Sequence, residues 1–243
     1  MSIAKPYYRI WRPFPNDDLF ENDYALDPRN AADAIDLIRG YHLLEQELFR
    51  LFDFIEPADA NLSAYSHQLY ALLLRASTEF EANAKAILRA NGYAKAGNFN
   101  VTDYYKLEPA MRLSEYKITI SIWQGRYQIV QPFASWATVS SLPWYQSYNR
   151  VKHNRSEEFE SASLLNVLAS VAAVFAIVFA QFGISSFDPY RDVSGFQSDG
   201  RLVSHSACRL SIEPPSGWDV AEKYDFDWET LQTTSSPYQP YAF

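Results

Sequence analysis

Apolar side chains recur at three- and four-residue steps through two long stretches of the chain. Ala34, Ile38, Tyr41, Leu48, Phe52 and Ile55 do so within 30–55, where Asp27, Pro28 and Asn30 signal a start and Pro57 a stop. Leu62, Tyr65, Leu69, Leu72, Leu73, Ala76, Phe80, Ala84, Ile87 and Leu88 predict a second helix over 62–91, closed by Gly92. A short helix is expected over 103–113, with Pro109 against a regular one. The period then falls to two. Tyr116, Ile118, Ile120 and Ile122 alternate with Lys117, Thr119, Ser121 and Trp123, Gln124-Gly125-Arg126 forms a turn, and 127–131 returns as a second strand. A polar helix is expected over 144–154. Ser156, followed by Glu157 and Glu158, is the expected cap of the next helix, which carries the apolar run 164–182 to Gly183. That run is apolar on nearly every side, so it belongs in the middle of the fold.

These elements predict a mainly α protein: a helical bundle with a flanking β-hairpin and an irregular, partly β C-terminal segment. Residues 1–27 read as an irregular, aromatic-rich arm in which Tyr7, Tyr8, Trp11 and Phe14 need a surface to pack on. Residues 28–183 form the helical domain, with its hairpin at about 115–131. Residues 184–243 are richer in Pro, Ser, Asp and Tyr and read as an appendage packed on the bundle, with one strand expected over 201–212.

The chain has 243 residues and is 48% apolar, enough for a sizeable core without disulfides. Its single cysteine, Cys208, excludes an intramolecular disulfide framework and suits a reducing, cytoplasmic setting. The net charge of −8 disfavours broad binding to nucleic acid, duplex DNA included. The run 164–182 approaches the length of a membrane span, but Asn166, Ser170, Gln181 and many alanines favour a buried core helix over a membrane anchor. The histidines His42, His67, His153 and His205 are scattered without metal-ligand spacing, so neither a metal nor a cofactor is expected.

Against this acidic background, Tyr148-Asn149-Arg150-Val151-Lys152-His153-Asn154-Arg155 gathers three cations and an imidazole within two turns. Asn149 and His153 are four apart and share a helix face, the place to seek phosphate chemistry. His153 is the candidate general acid–base group, because imidazole is the side chain that most often serves in that role. Arg150 or Arg155 could steady charge on a phosphate, and Asn149 could orient the imidazole. The alternative is a helix-terminal His beside cations that favour the C-terminal end of the dipole. Trp136, Trp144 and Tyr145 suit either stacking on bases or a plug that holds the polar helix to the bundle.

The segment Leu74-Arg75-Ala76-Ser77-Thr78-Glu79-Phe80-Glu81-Ala82-Asn83-Ala84-Lys85-Ala86-Ile87-Leu88 resembles the second helix of HEPN (higher eukaryotes and prokaryotes nucleotide-binding) domains. Residues 148–155 resemble the HEPN signature region before the last long helix. The resemblance spans roughly 30–183 and implies an all-α bundle, commonly a homodimer. It implies one of two activities. One is metal-independent cleavage of RNA in bacterial defence or stress. The other is a non-catalytic module that binds nucleotides or a protein partner such as an antitoxin. It assigns catalysis to His153, Asn149 and Arg150, and substrate binding to Tyr148, Lys152, Arg155 and Glu79. The family's signature is an Arg, four to six residues and a His. Aligned on Asn149 and His153, this chain has Tyr148 where that Arg is expected.

Overall fold

The computed structural model describes residues 2–15, 23–183, 187, 196–199, 202–205 and 208–243. Parts of the expected arm and C-terminal segment therefore lie outside the described residues, including 201, 206 and 207 of the expected strand. The protein is mainly helical, with a small antiparallel sheet. Its longer helices are α1 (Ala34–Leu51), α2 (His67–Ala90), α5 (Pro143–His153) and α7 (Leu164–Phe182). Short helices α3 (Val101–Tyr104), α4 (Glu108–Met111), α6 (Arg155–Glu158) and α8 (Trp228–Leu231) lie in the connections.

The four long helices form close to their expected ranges, with ends set by local hydrogen bonds. Asn30 stays outside α1 because it holds the arm: its Oδ1 accepts the Arg9 amide at 2.7 Å and its Nδ2 donates to the Ala25 carbonyl at 2.7 Å. α2 begins five residues later than periodicity predicts, where the Ser66 hydroxyl accepts the Leu69 amide at 3.2 Å. The expected 103–113 helix is instead α3, two 3₁₀ turns and α4, with Pro109 in the first turn of α4 and Arg112 left-handed at φ 53°. Ser156 does not cap the central helix. It lies within α6, and α7 starts at Leu164, whose amide donates to the Ala64 carbonyl at 2.8 Å; the Leu165 amide reaches the Leu62 carbonyl at 3.0 Å. The loop before α2 thus satisfies donors that a cap would otherwise take. Gly183, at φ 72°, ends α7 in a backbone region that favours glycine.

α7 is the axis of the core, packed between α1, α2 and α5. It is long and apolar enough to cross a membrane, yet most of it is buried by this chain's own helices. Phe175 stacks on Tyr41 of α1 with ring centroids 4.7 Å apart, and Phe179 meets Trp11 of the arm edge-on at 5.3 Å. Its buried Gln181 is satisfied, donating to Asn83 Oδ1 at 2.7 Å and accepting from Arg9 at 3.3 Å.

The sheet has strand order β2-β1-β5-β4-β3, all antiparallel. β1 (Lys117–Thr119) and β2 (Ile129–Val130) are shorter than the alternation suggests. Asp59 is the reason. Its carboxylate accepts the Arg126 amide at 2.7 Å and the Tyr127 amide at 3.2 Å, which holds Arg126–Gln128 in a 3₁₀ turn. A Cβ on Gly125 (φ 130°) would collide with that carboxylate. The C-terminal segment supplies β3 (Phe196–Asp199), β4 (Leu202–His205) and β5 (Ser211–Glu213), so hairpin and tail share one sheet. Tail and arm also meet directly through bridges Ile3↔Tyr224 and Tyr7↔Gln239.

Candidate functional site

α5 opens with Pro143 in its first turn, where a missing N–H costs nothing. Its buried face carries Trp144, Tyr145, Ser147, Tyr148 and Val151. Phe80 of α2 is the socket: Trp144, Tyr145, Phe133 and Trp136 lie with ring centroids 5.2, 6.0, 5.6 and 6.3 Å away. Trp136, Trp144 and Tyr145 are all buried, so they act as the plug that seats the polar helix. The indole N–H of Trp144 donates to the Pro132 carbonyl at 2.9 Å.

Next to the plug the surface dips into a polar hollow of about 520 Å³. α2 lines it with Glu81, Lys85 and Arg89, α5 with Tyr145, Asn149 and Lys152, and residues 97–100 with Val101 at the start of α3 complete it. Three cations face one carboxylate there, so the lining is net positive on a chain of charge −8. Glu81 is the hub. It accepts the Tyr145 hydroxyl at 2.8 Å and the Lys85 ammonium at 2.7 Å. Burial pushes its carboxyl up, but the Lys85 and Tyr145 hydrogen bonds outweigh this and hold it below the usual range. Burial, and then Glu81 itself, raise the Tyr145 hydroxyl, which stays a donor.

Lys152 donates to the Tyr148 hydroxyl at 2.9 Å and sits 4.9 Å from the centre of that ring. The Tyr148 hydrogen bond raises its pKa and keeps it charged. The Arg89 guanidinium lies 5.5 Å from the Phe99 ring centroid and has no carboxylate partner among the described residues. The hollow therefore offers two cations not neutralised by direct ion pairs, Arg89 and Lys152, and the amide of Asn149.

Of the residues singled out from sequence, Asn149, Lys152 and, beneath the ammonium, Tyr148 meet at this hollow. His153 is exposed on the flank of the same face, and its side chain has no hydrogen bond, ion pair or ring contact among the described residues. Arg150 points elsewhere, because it lies roughly 140° round the helix from Tyr145 at 3.6 residues per turn. It donates to Ser147 Oγ at 2.9 Å and pairs with Glu158 at 3.4 Å. Arg155 lies over Tyr70, 5.8 Å from its ring centroid. Glu79 is not brought to α5. Its carboxylate packs against Gly40 of α1. Asn83 is sealed in the core against Gln181.

The acid that meets α5 is Glu81, two residues and roughly 200° round the helix from Glu79. Glu81, Lys85 and Arg89 are lining residues not singled out from sequence, and Tyr145 enters as the donor to Glu81 rather than as a surface for bases. A signal was present: Glu81, Lys85 and Arg89 form one polar stripe at four-residue steps, opposite the apolar stripe of α2. No three His, Cys, Asp or Glu side chains converge as metal ligands among the described residues.

Fold and site together define a mainly helical bundle with a basic hollow between two of its helices. The chain matches no protein-family model, no curated protein and no solved structure. The HEPN resemblance thus rests on the two sequence segments alone.

Proposed function

We propose that the hollow between α2 and α5 binds a phosphate group carried by single-stranded RNA or a nucleotide, as a non-catalytic module. The observation that carries this reading is Arg89 and Lys152, neither in a direct ion pair among the described residues, beside Asn149 in an open polar concavity of an otherwise acidic protein. Tyr148 stands where the HEPN signature has its Arg, and its hydroxyl orients Lys152. The cation therefore comes from one turn further along the helix. On the fold side the proposal is a HEPN-like bundle, cytosolic and homodimeric, with two motif helices brought together. Small-angle scattering gives the mass, and a monomer at micromolar concentration removes the dimer from the proposal.

Fluorescence anisotropy with labelled single-stranded RNA, and thermal shift with nucleotides, test the binding. Loss of one charge-assisted contact weakens affinity about tenfold or more, so Lys152→Ala and Arg89→Ala should each do so. Binding should also fall with added salt. Unchanged affinity in both variants rejects the reading.

A second reading, RNA cleavage with His153 as acid–base group, is favoured by one feature: the imidazole is exposed on the flank of the face that carries Asn149. Cleavage that survives EDTA and disappears in His153→Ala selects this enzyme reading. Equal cleavage by both proteins, or none, leaves the binding module.

A further inference from the structure

The sheet has an open edge. β2 is its outermost strand on one side, paired among the described residues only with β1. The Ile120 amide donates to the Gln128 carbonyl at 2.9 Å, and Ile118 faces Val130. In an antiparallel ladder this turns the main-chain groups of Gln128 and Val130 toward β1, and those of Tyr127, Ile129 and Gln131 outward. Two outward groups are already taken. The Tyr127 amide binds Asp59 at 3.2 Å, and the Gln131 carbonyl accepts the Ala134 amide at 3.2 Å. The Ile129 amide and carbonyl and the Gln131 amide have no partner among the described residues.

Beside this edge lies a second hollow, apolar and about 380 Å³ in volume. β2 and Pro132 wall one side, Trp144 another, and Leu165, Leu168 and Ala169 of α7 a third. Three large apolar residues lining it stay exposed: Tyr127 at 42%, Ile129 at 53% and Leu165 at 36%. Its polar side chains are largely occupied. The Trp144 indole binds the Pro132 carbonyl, and the Asn166 amide binds the Ser161 carbonyl at 2.9 Å. What remains is apolar surface next to bare main-chain donors and an acceptor.

That combination selects the occupant. A small hydrophobe filling the hollow would strip water from the Ile129 and Gln131 groups and give them no partner, which is unfavourable. A docked helix has its main-chain groups tied up internally. An extended peptide supplies both alternate apolar side chains and free main-chain groups. We propose that β2 is a docking edge for an extended segment of a partner protein. The segment adds as a further strand, exchanges hydrogen bonds with Ile129 and seats an apolar side chain between β2 and α7.

The probe is a panel of fluorescein-labelled seven-residue peptides that alternate Val, Ile, Leu or Phe with Thr or Ser, titrated against the full chain by anisotropy. Members of the panel should bind, and N-methylation of alternate amides should weaken them at least tenfold. Ile129→Asp and Leu165→Asp, both at exposed positions, should do the same while leaving RNA binding unchanged. Binding should also slow hydrogen exchange at the Ile129 and Gln131 amides. Several results overturn the proposal: no binding by any peptide, equal binding after N-methylation, or an anilinonaphthalene sulfonate dye that enters the hollow with no peptide able to displace it. Protection of the Ile129 amide that rises with protein concentration alone assigns the edge to a second copy of this chain instead.

Discussion

Tyr148 fixes the Lys152 ammonium in place without neutralising it, and no acid among the described residues pairs with that ammonium. Tyr148→Phe keeps the ring beneath Lys152 but removes the acceptor. A neutral acceptor contributes about 0.5–1.5 kcal/mol, so nucleotide affinity should fall roughly two- to tenfold with the fold intact. Isothermal titration beside circular dichroism checks this. Glu81 sets a pH dependence. Its carboxyl is held below the usual range in the fold, so its contribution to stability is complete above the unfolded value of about 4.3 and is lost as pH falls through the native value. Asp103 acts in the same sense: burial opposes its ionisation, but Lys95, the Asn100 amide and Tyr93 outweigh it. Melting temperature should therefore drop on acidification below about pH 4, and Glu81→Gln should flatten that limb in melts between about pH 3 and 7. At this scale the sequence exposed the cluster 148–155. It did not show that Arg150 would turn to Glu158, because a helical angle names a face and not the neighbour that face meets.

The elements were legible where periodicity was strong and blurred where a single side chain set the boundary. α2 and α7 carry long apolar patterns, and both form. The hairpin strands shrink because Asp59, far away in sequence, captures two amides of the turn. α5 has a weak apolar stripe, and its position depends on one large anchor. Trp144→Ala removes that anchor from the Phe80 socket and should cost about 3–5 kcal/mol, read from urea unfolding. The same variant should weaken RNA binding, since Asn149 and Lys152 ride on the helix that Trp144 seats.

Across the whole molecule, termini far apart in sequence close on the bundle together. The arm donates the Trp11 amide to the Ala180 carbonyl at 2.8 Å, and the tail docks on α1 through a buried carboxylate. Glu45 accepts the Arg209 and Leu210 amides at 2.8 and 2.9 Å and the Tyr41 hydroxyl at 2.7 Å. Glu45→Ala leaves those amides unpaired at about 1–3 kcal/mol each, so residues 208–213 should exchange hydrogen much faster than in the wild type. Unchanged protection there would show that the sheet alone holds the tail. By itself the sequence determined that the chain is mainly helical, that 164–182 is its central rod and that cations gather on one polar helix. Hydrophobic period is a local property, and these features are written locally. Only the tertiary structure decided that Glu81 and not Glu79 faces α5, that Arg89 joins Lys152 across the hollow, and that the tail completes the hairpin's sheet. Each of those depends on which surfaces meet after burial of the apolar stripes, and no local pattern encodes that.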